Sequence, residues 1–241
     1  MIDLLLALLV SASPAPATPA NSAKSVTKST PATQTKPAAK DAVDLAEVVA
    51  KMQKRYDQAK DFKASFTQKY SRAVMNRVTV STGRVTFKKP GRMRWDYATP
   101  EPRMFLANGQ LLWLYEPGEK QAFKQSLKTS QLPAALAFLM GKGKITDEFV
   151  VALITEKPPG RPGDIPLSLK PKQPQSAYKA ITFVVDPKQF LVRESILVDA
   201  QGNTNHFVFE DLSVNTKVPD GLFKWSPPAG VRVVDTGKMG K

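Results

Sequence analysis

Apolar residues change their period once along this chain, and that change divides it into elements. Leu45, Val48, Val49, Met52 and Tyr56 recur at the spacing of one helical face. Asp41 or Asp44 can cap the start and no proline intervenes, so residues 44–59 are predicted to be a helix. Beyond it the period drops to two. Val78 and Val80, then Val85 and Phe87, alternate with polar residues, and the phase shift at Gly83 predicts a bulge or bend. Lys89-Pro90-Gly91 reads as a turn. Arg92 to Tyr97 then alternates without a slip, which places Met93, Trp95 and Tyr97 on one strand face and Arg92, Arg94 and Asp96 on the other.

Residues 104–115 form the clearest hairpin. Asn108-Gly109 between two apolar runs is a type I′ signal that would pair Phe105 with Leu112 and Met104 with Trp113. Both faces of that hairpin are apolar, so both must be covered or one must line a cavity. Residues 132–140 suggest a short helix, with Pro133 in its first turn, Gly141 after its end, and a stripe of Leu132, Leu136, Leu139 and Met140. Strands are predicted at 149–154, 167–169, 181–185, 190–198, 204–212 and 231–234, with a proline-rich loop at 157–166. Short turns between consecutive strands imply an antiparallel sheet, and roughly ten strands must curl rather than lie flat. The expected fold is therefore mainly β (α+β): a strongly bent antiparallel sheet or open barrel with two or three helices on its concave side.

The N-terminus reads differently. Leu4 to Val10 is unbroken and apolar, too short for a membrane span of about 20 residues but suited to the core of a secretory signal. Ala15-Pro16-Ala17 resembles a cleavage site; Asp3 and the lack of a basic residue before the run are atypical. From residue 18 to 42 there is no aromatic, Leu or Ile, and prolines alternate with Lys24, Lys28, Lys36 and Lys40. Such a stretch buries too little apolar surface to offset its ordering entropy. The organisation expected is a signal peptide (1–17), a disordered linker (18–42) and one domain (43–241).

Composition excludes more than it selects. There is no Cys and one histidine, His206, which removes disulfides, thiolate chemistry and His-rich metal centres, and leaves little room for a Ser-His-Asp triad. No metal site and no cofactor are expected. Asp96 and Glu101 are the only pairing reminiscent of a glycosidase, and their context suits solvated charges better. A net charge of +14 raises nucleic acid or an anionic membrane as partners, but alternation puts Trp95 opposite Arg92 and Arg94, against a base-stacking platform. A curled sheet with a large aromatic and aliphatic inner surface remains, and such a surface can either bind an apolar ligand or serve as an ordinary core.

Four runs shift that choice. FKASFTQK at 62–69, FKKPGRMRWDYATP at 87–100, NGQLLWLYEP at 108–117 and LFKWSPPAGVRVVD at 222–235 resemble, in order and spacing, the LolA family of periplasmic carriers of outer-membrane lipoproteins. The resemblance covers about residues 45–235 and implies an incomplete, strongly curled antiparallel β-barrel with two or three helices forming a lid over the concave face, and a non-enzymatic carrier. Its cavity takes acyl chains; its partners are acylated lipoproteins, an inner-membrane ABC-type exporter and an outer-membrane lipoprotein acceptor. The absence of cysteine favours the soluble carrier over a lipid-anchored acceptor, and a monomer is the default. A LolA-like binder of another envelope lipid or glycolipid is the alternative, and a nucleic-acid-binding β-domain a more remote one. The expected lipid-binding cavity is lined by Met93, Trp95, Tyr97, Phe105, Leu112 and Leu114, with lid residues Val49, Met52, Tyr56, Leu136, Leu139 and Met140. The family has a basic residue before the turn proline that latches the lid by bonding its backbone carbonyls. Here it is Lys89, where arginine is usual, so Arg92 or Arg94 could share the task.

Overall fold

A computed structural model of the chain describes residues 43–127, 138, 143–174 and 178–238. Helix α1 (Leu45–Gln58) opens it, and Asp44 caps it by accepting hydrogen bonds from the amides of Ala46 and Glu47. Its buried stripe is Val48, Val49, Met52 and Tyr56, the face that the period predicted. Six strands follow: β1 (Asp61–Arg72), β2 (Arg77–Lys88), β3 (Arg92–Thr99), β4 (Arg103–Asn108), β5 (Leu111–Glu116) and β6 (Gln121–Ser126). A single helical turn, α2 (Ile145–Glu148), leads into β7 (Phe149–Leu153), β8 (Ile165–Pro171), β9 (Ala180–Val185), β10 (Val192–Val198), β11 (Thr204–Val214) and β12 (Arg232–Asp235). The predicted linker and the predicted helix at 132–140 lie outside the described residues, except for Phe138.

Among the described residues the strands form one curled sheet in the order β12-β6-β5-β4-β3-β2-β1-β11-β10-β9-β8-β7. It is open, with β12 and β7 as its edges. Every pairing is antiparallel except β12 with β6, which is parallel, a departure from the uniformly antiparallel expectation. The reason is the long return before β12: residues 215–231 cross the outer face of the sheet and bring the chain back in the direction of β6.

That crossing segment is tied down at its start. The buried Asp61 carboxylate accepts hydrogen bonds from the Thr216 amide (2.7 Å), the Thr216 hydroxyl (3.1 Å) and the Val218 amide (3.3 Å). Val218, Phe223 and Trp225 then pack on Met104, Leu106 and Trp113, the outward side chains of the β4–β5 hairpin. Its inward side chains, Phe105, Leu112 and Leu114, belong to the concave face. Both apolar faces are thus covered, as the pattern required.

Two local readings are corrected. The hairpin pairs Phe105 with Leu114 and Leu106 with Trp113, two residues away from the expected register. The Asn108 side chain accepts hydrogen bonds from the Gln110 and Leu111 amides, which centres the turn on Gly109-Gln110 and not on Asn108-Gly109. A two-residue slip keeps every side chain on its expected face. Strand β2 has no phase shift either. Ser81, Gly83, Val85 and Phe87 all face inward, while Val78 and Val80 point outward and are exposed. The register irregularity lies in the partner strand, where Ala98 is the extra residue between Tyr97 and Thr99.

Gly83 remains indispensable for another reason. A Cβ there would collide with the Asp96 carbonyl oxygen and lie 2.8 Å from the Phe66 ring. Gly83→Ala is expected to destabilise the fold by about 2 kcal/mol, as overpacking against backbone does. A denaturant midpoint indistinguishable from that of the unmodified chain would contradict this account of the position.

Candidate functional site

The concave face carries two contiguous apolar clusters. One gathers all six residues expected to line a cavity, Met93, Trp95, Tyr97, Phe105, Leu112 and Leu114. Phe62 and Phe66 of β1, Phe87 of β2, and Phe207 and Phe209 of β11 join them. Alternation explains the assembly: in FKASF and FVF the phenylalanines stand an even number of residues apart, on one face of neighbouring strands. The rings meet edge-on or tilted. Phe66 lies 5.1 Å from Trp95, 4.9 Å from Tyr97 and 5.7 Å from Phe207, centroid to centroid. These spacings suit aromatic quadrupoles.

The second cluster holds the expected lid residues that lie within the described structure. Val49, Met52 and Tyr56 of α1 pack with Phe138, Phe149, Leu167, Ile181 and Phe183 over strands β7 to β9. Leu136, Leu139 and Met140 lie outside the described residues. So α1 rests on one half of the concave face, beside the aromatic cluster of the other half. The two meet where Tyr56, Phe62, Phe87, Val192 and Phe209 enclose about 10 Å³, room for about one water molecule.

Tyr56 joins the halves. Its hydroxyl accepts a hydrogen bond from the Val192 amide of β10 at 3.1 Å, and burial pushes that hydroxyl above its ordinary pKa, so it stays neutral. Its own carbonyl accepts from Lys89 Nζ at 2.7 Å, and the same ammonium reaches the Asp57 carbonyl at 2.9 Å. Both carbonyls belong to the last turn of α1, where no intrahelical donor is available and the helix dipole favours a cation. Lys89 is held in place in turn: its amide donates to the Lys60 carbonyl, and Arg92 Nη2 donates to its own carbonyl at 3.2 Å.

Arg92 and Arg94 point elsewhere. Arg92 pairs with Asp220 at 2.9 Å, and its guanidinium lies 5.6 Å from the Phe223 ring centroid. Arg94 bonds the Asp96 carboxylate and the Leu222 carbonyl. Lys88 also turns outward, to Asp220 and the Val218 carbonyl. Of the basic cluster at 88–94, only Lys89 touches the helix, while the others fasten the crossing segment. Lys88 and Arg92 accordingly hold the Asp220 carboxyl below its usual pKa.

Strands β10 and β11 stop pairing beyond Glu194 and Val208. A fissure of about 420 Å³ opens there, rimmed by Arg161, Asp186, Arg193, Glu210 and Asp211. Phe209 lines both this fissure and the gap beside Tyr56. Among the described residues no group of three or more His, Asp or Glu side chains could hold a metal ion. His206 pairs with Glu194 at 2.7 Å, on the strand face away from Phe207.

The fold defines a class: a single open, curled β-sheet whose concave face is apolar and is covered over one half by a helix. The chain belongs to the LolA family, whose profile, described as outer membrane lipoprotein carrier protein LolA, matches residues 57–226. An outer-membrane lipoprotein carrier protein of Chromobacterium violaceum is 27% identical over 155 residues, 64% of this chain and 72% of that protein. Its counterpart in Nitrosospira multiformis is 28% identical over 179 residues, covering 74% and 84%. In structure, an uncharacterized conserved protein from Thermus thermophilus superposes with a TM-score of 0.51 at 12% identity, over 79% of this chain and 98% of that one. That likeness concerns the fold alone.

Removing the Tyr56 hydroxyl leaves the Val192 amide without its partner. Tyr56→Phe is therefore expected to cost about 1 kcal/mol and to loosen α1 before the sheet. Hydrogen exchange reads this directly: α1 amides should exchange about fivefold faster while β2 and β3 amides hold. Equal acceleration everywhere would show that Tyr56 serves global packing only.

Proposed function

We propose that this chain is a non-enzymatic, monomeric carrier of the periplasm. Its concave aromatic face takes the acyl chains of lipoproteins, which it receives from an inner-membrane ABC-type exporter and passes to an outer-membrane lipoprotein acceptor. The observation that carries this reading is the aromatic face itself. At least eleven apolar side chains from β1 to β5 and β11 form a continuous inner surface, and α1 is fastened at its edge by one cationic side chain. Family membership and relatives named as lipoprotein carriers support the cargo.

Magnitudes fit the job. Burying a methylene is worth roughly 0.8 kcal/mol, so an acyl chain of about 15 methylenes gains on the order of 12 kcal/mol on leaving water. The Lys89 hydrogen bonds are worth about 1–2 kcal/mol together. Entering chains thus overcome the latch easily, but they must also displace the apolar contacts of Val48, Val49, Met52 and Tyr56. The net affinity is the difference between two burials, which allows the cargo to be released.

Two experiments test the reading. Lipid extraction of the protein isolated from its own periplasm, followed by mass spectrometry, should recover acylated lipoprotein; another envelope lipid there would reassign the cargo. Lys89→Leu should fold with a thermal midpoint within a few degrees of the unmodified protein, yet hand bound lipoprotein to acceptor membranes severalfold more slowly. Transfer at the unmodified rate would remove Lys89 from the mechanism.

A further inference from the structure

Three buried polar atoms on the concave face have no hydrogen-bond partner: Trp95 Nε1, Tyr97 Oη and Gln68 Oε1. Their residues are each 4% exposed. Buried polar atoms in native proteins are nearly always paired, because an unpaired one gives up its bonds to water for nothing. Phenylalanine would fill the Tyr97 position without that cost, since the ring alone supplies the contacts with Phe66 and Phe105. The hydroxyl therefore calls for an explanation other than packing.

The three side chains share a face and a neighbourhood. Phe66 lies between the Trp95 and Tyr97 rings, and Gln68 follows two residues along the same strand. Beyond Gln68 this face turns polar. Gln68 Nε2 donates to Asn205 Oδ1 at 2.8 Å, and Ser81 and Asn205 are buried beside it. At the other end lie Phe62, Phe87 and Met93, next to the latch. The concave face thus grades from hydrocarbon near Lys89 to hydrogen-bonding groups near Gln68.

We propose that Trp95, Tyr97 and Gln68 form a subsite for the linkage that joins an acyl chain to its head, with the hydrocarbon running from there toward Met93. This rests on the carrier reading above. The signs of the groups select the chemistry. An indole N–H and a phenol O–H seek a carbonyl oxygen, and burial keeps the Tyr97 hydroxyl protonated and so able to donate. Gln68 Oε1 is an acceptor and seeks an N–H. An amide-linked acyl chain offers both an oxygen and an N–H. An ester satisfies only the two donors, a carboxylate would set its charge against Gln68 Oε1, and a plain hydrocarbon satisfies none. The ligand class is therefore an N-acyl lipid, with ester-linked chains second.

The test uses two fluorescent probes of equal chain length on the full protein, one an N-acyl amide and the other a hydrocarbon without a carbonyl. Tyr97→Phe deletes a single oxygen that has no partner in the fold, so its thermal midpoint should be unchanged or higher. Its affinity for the amide probe should fall about fivefold, while the hydrocarbon probe binds within about twofold of the unmodified protein. Unchanged binding of the amide probe, or equal weakening for both probes, would overturn the subsite and leave the carrier standing. Failure of the unmodified protein to bind either probe would remove the carrier reading and the subsite with it.

Discussion

A sheet that is apolar on both faces cannot leave either in water, and this constraint orders the whole structure. Strands β4 and β5 show it plainly, since Phe105, Leu112 and Leu114 point one way while Met104, Leu106 and Trp113 point the other. The chain meets the demand with two different covers. On the convex side it returns across its own sheet, adds Trp225 against Trp113 at 5.2 Å, and ends as a strand hydrogen-bonded to β6. That cover is bound by a sheet ladder, a buried carboxylate and an ion cluster. On the concave side an amphipathic helix covers only the half over β7 to β9, contributing side-chain packing and a few hydrogen bonds, with no ladder. Two equally apolar faces are thus fastened unequally, by a ladder on one side and by packing and a few hydrogen bonds on the other.

The basic stretch at 88–94 serves this division. Lys88 and Lys89 are adjacent, yet the end of β2 sends the first outward to Asp220 and the turn sends the second inward to α1. Arg92 bridges the two arrangements, pairing with Asp220 while donating to the Lys89 carbonyl. The positive charge of this stretch, which in the bare sequence suggests nucleic acid, is occupied within the molecule, on carboxylates and on the carbonyls of a helix end. A lysine suits the helix end because two carbonyls at different angles ask for a point charge with rotatable donors, whereas the planar fork of arginine matches flat, bidentate partners.

Much of this is legible in the residue pattern, and the failures have physical causes. The stripe of α1 and the face shared by Met93, Trp95 and Tyr97 follow from period alone, because each is set by local backbone geometry. Strands β1 and β6 escape the pattern: β1 mixes Phe62 and Phe66 with Lys63, Ser65 and Thr67, and its alternation is easily read as a polar segment. The apparent phase shift at Gly83 comes from taking every valine as buried, although Val78 and Val80 stand on the solvent side of a hairpin that extends past the core. The hairpin register moves because a side chain, Asn108, captures two amides, which the propensity of Asn-Gly does not encode. The parallel pairing of β12 depends on a crossing over the far face, and no local window contains that information. The contact of Lys89 with α1 is the reverse case. Its geometry is long-range, and the resemblance to a family, not periodicity, points to Lys89.

The two halves of the concave face are packed differently. Rings meeting edge-on and tilted, as Phe66 does with Trp95 and Tyr97, fill space without the interlocking of branched aliphatic chains. Flat side chains swing about two torsions and offer new faces at modest rotameric cost. Around α1 the packing is different, with Val48, Val49 and Met52 set among Leu167, Ile181 and Phe183. The half of the interior beside the helix is thus built largely from rings. The part that must hold the helix in register is built largely from aliphatic side chains, whose many short contacts fix one arrangement. The boundary between them runs through Tyr56, an aromatic residue placed on the helix and bonded to both sides.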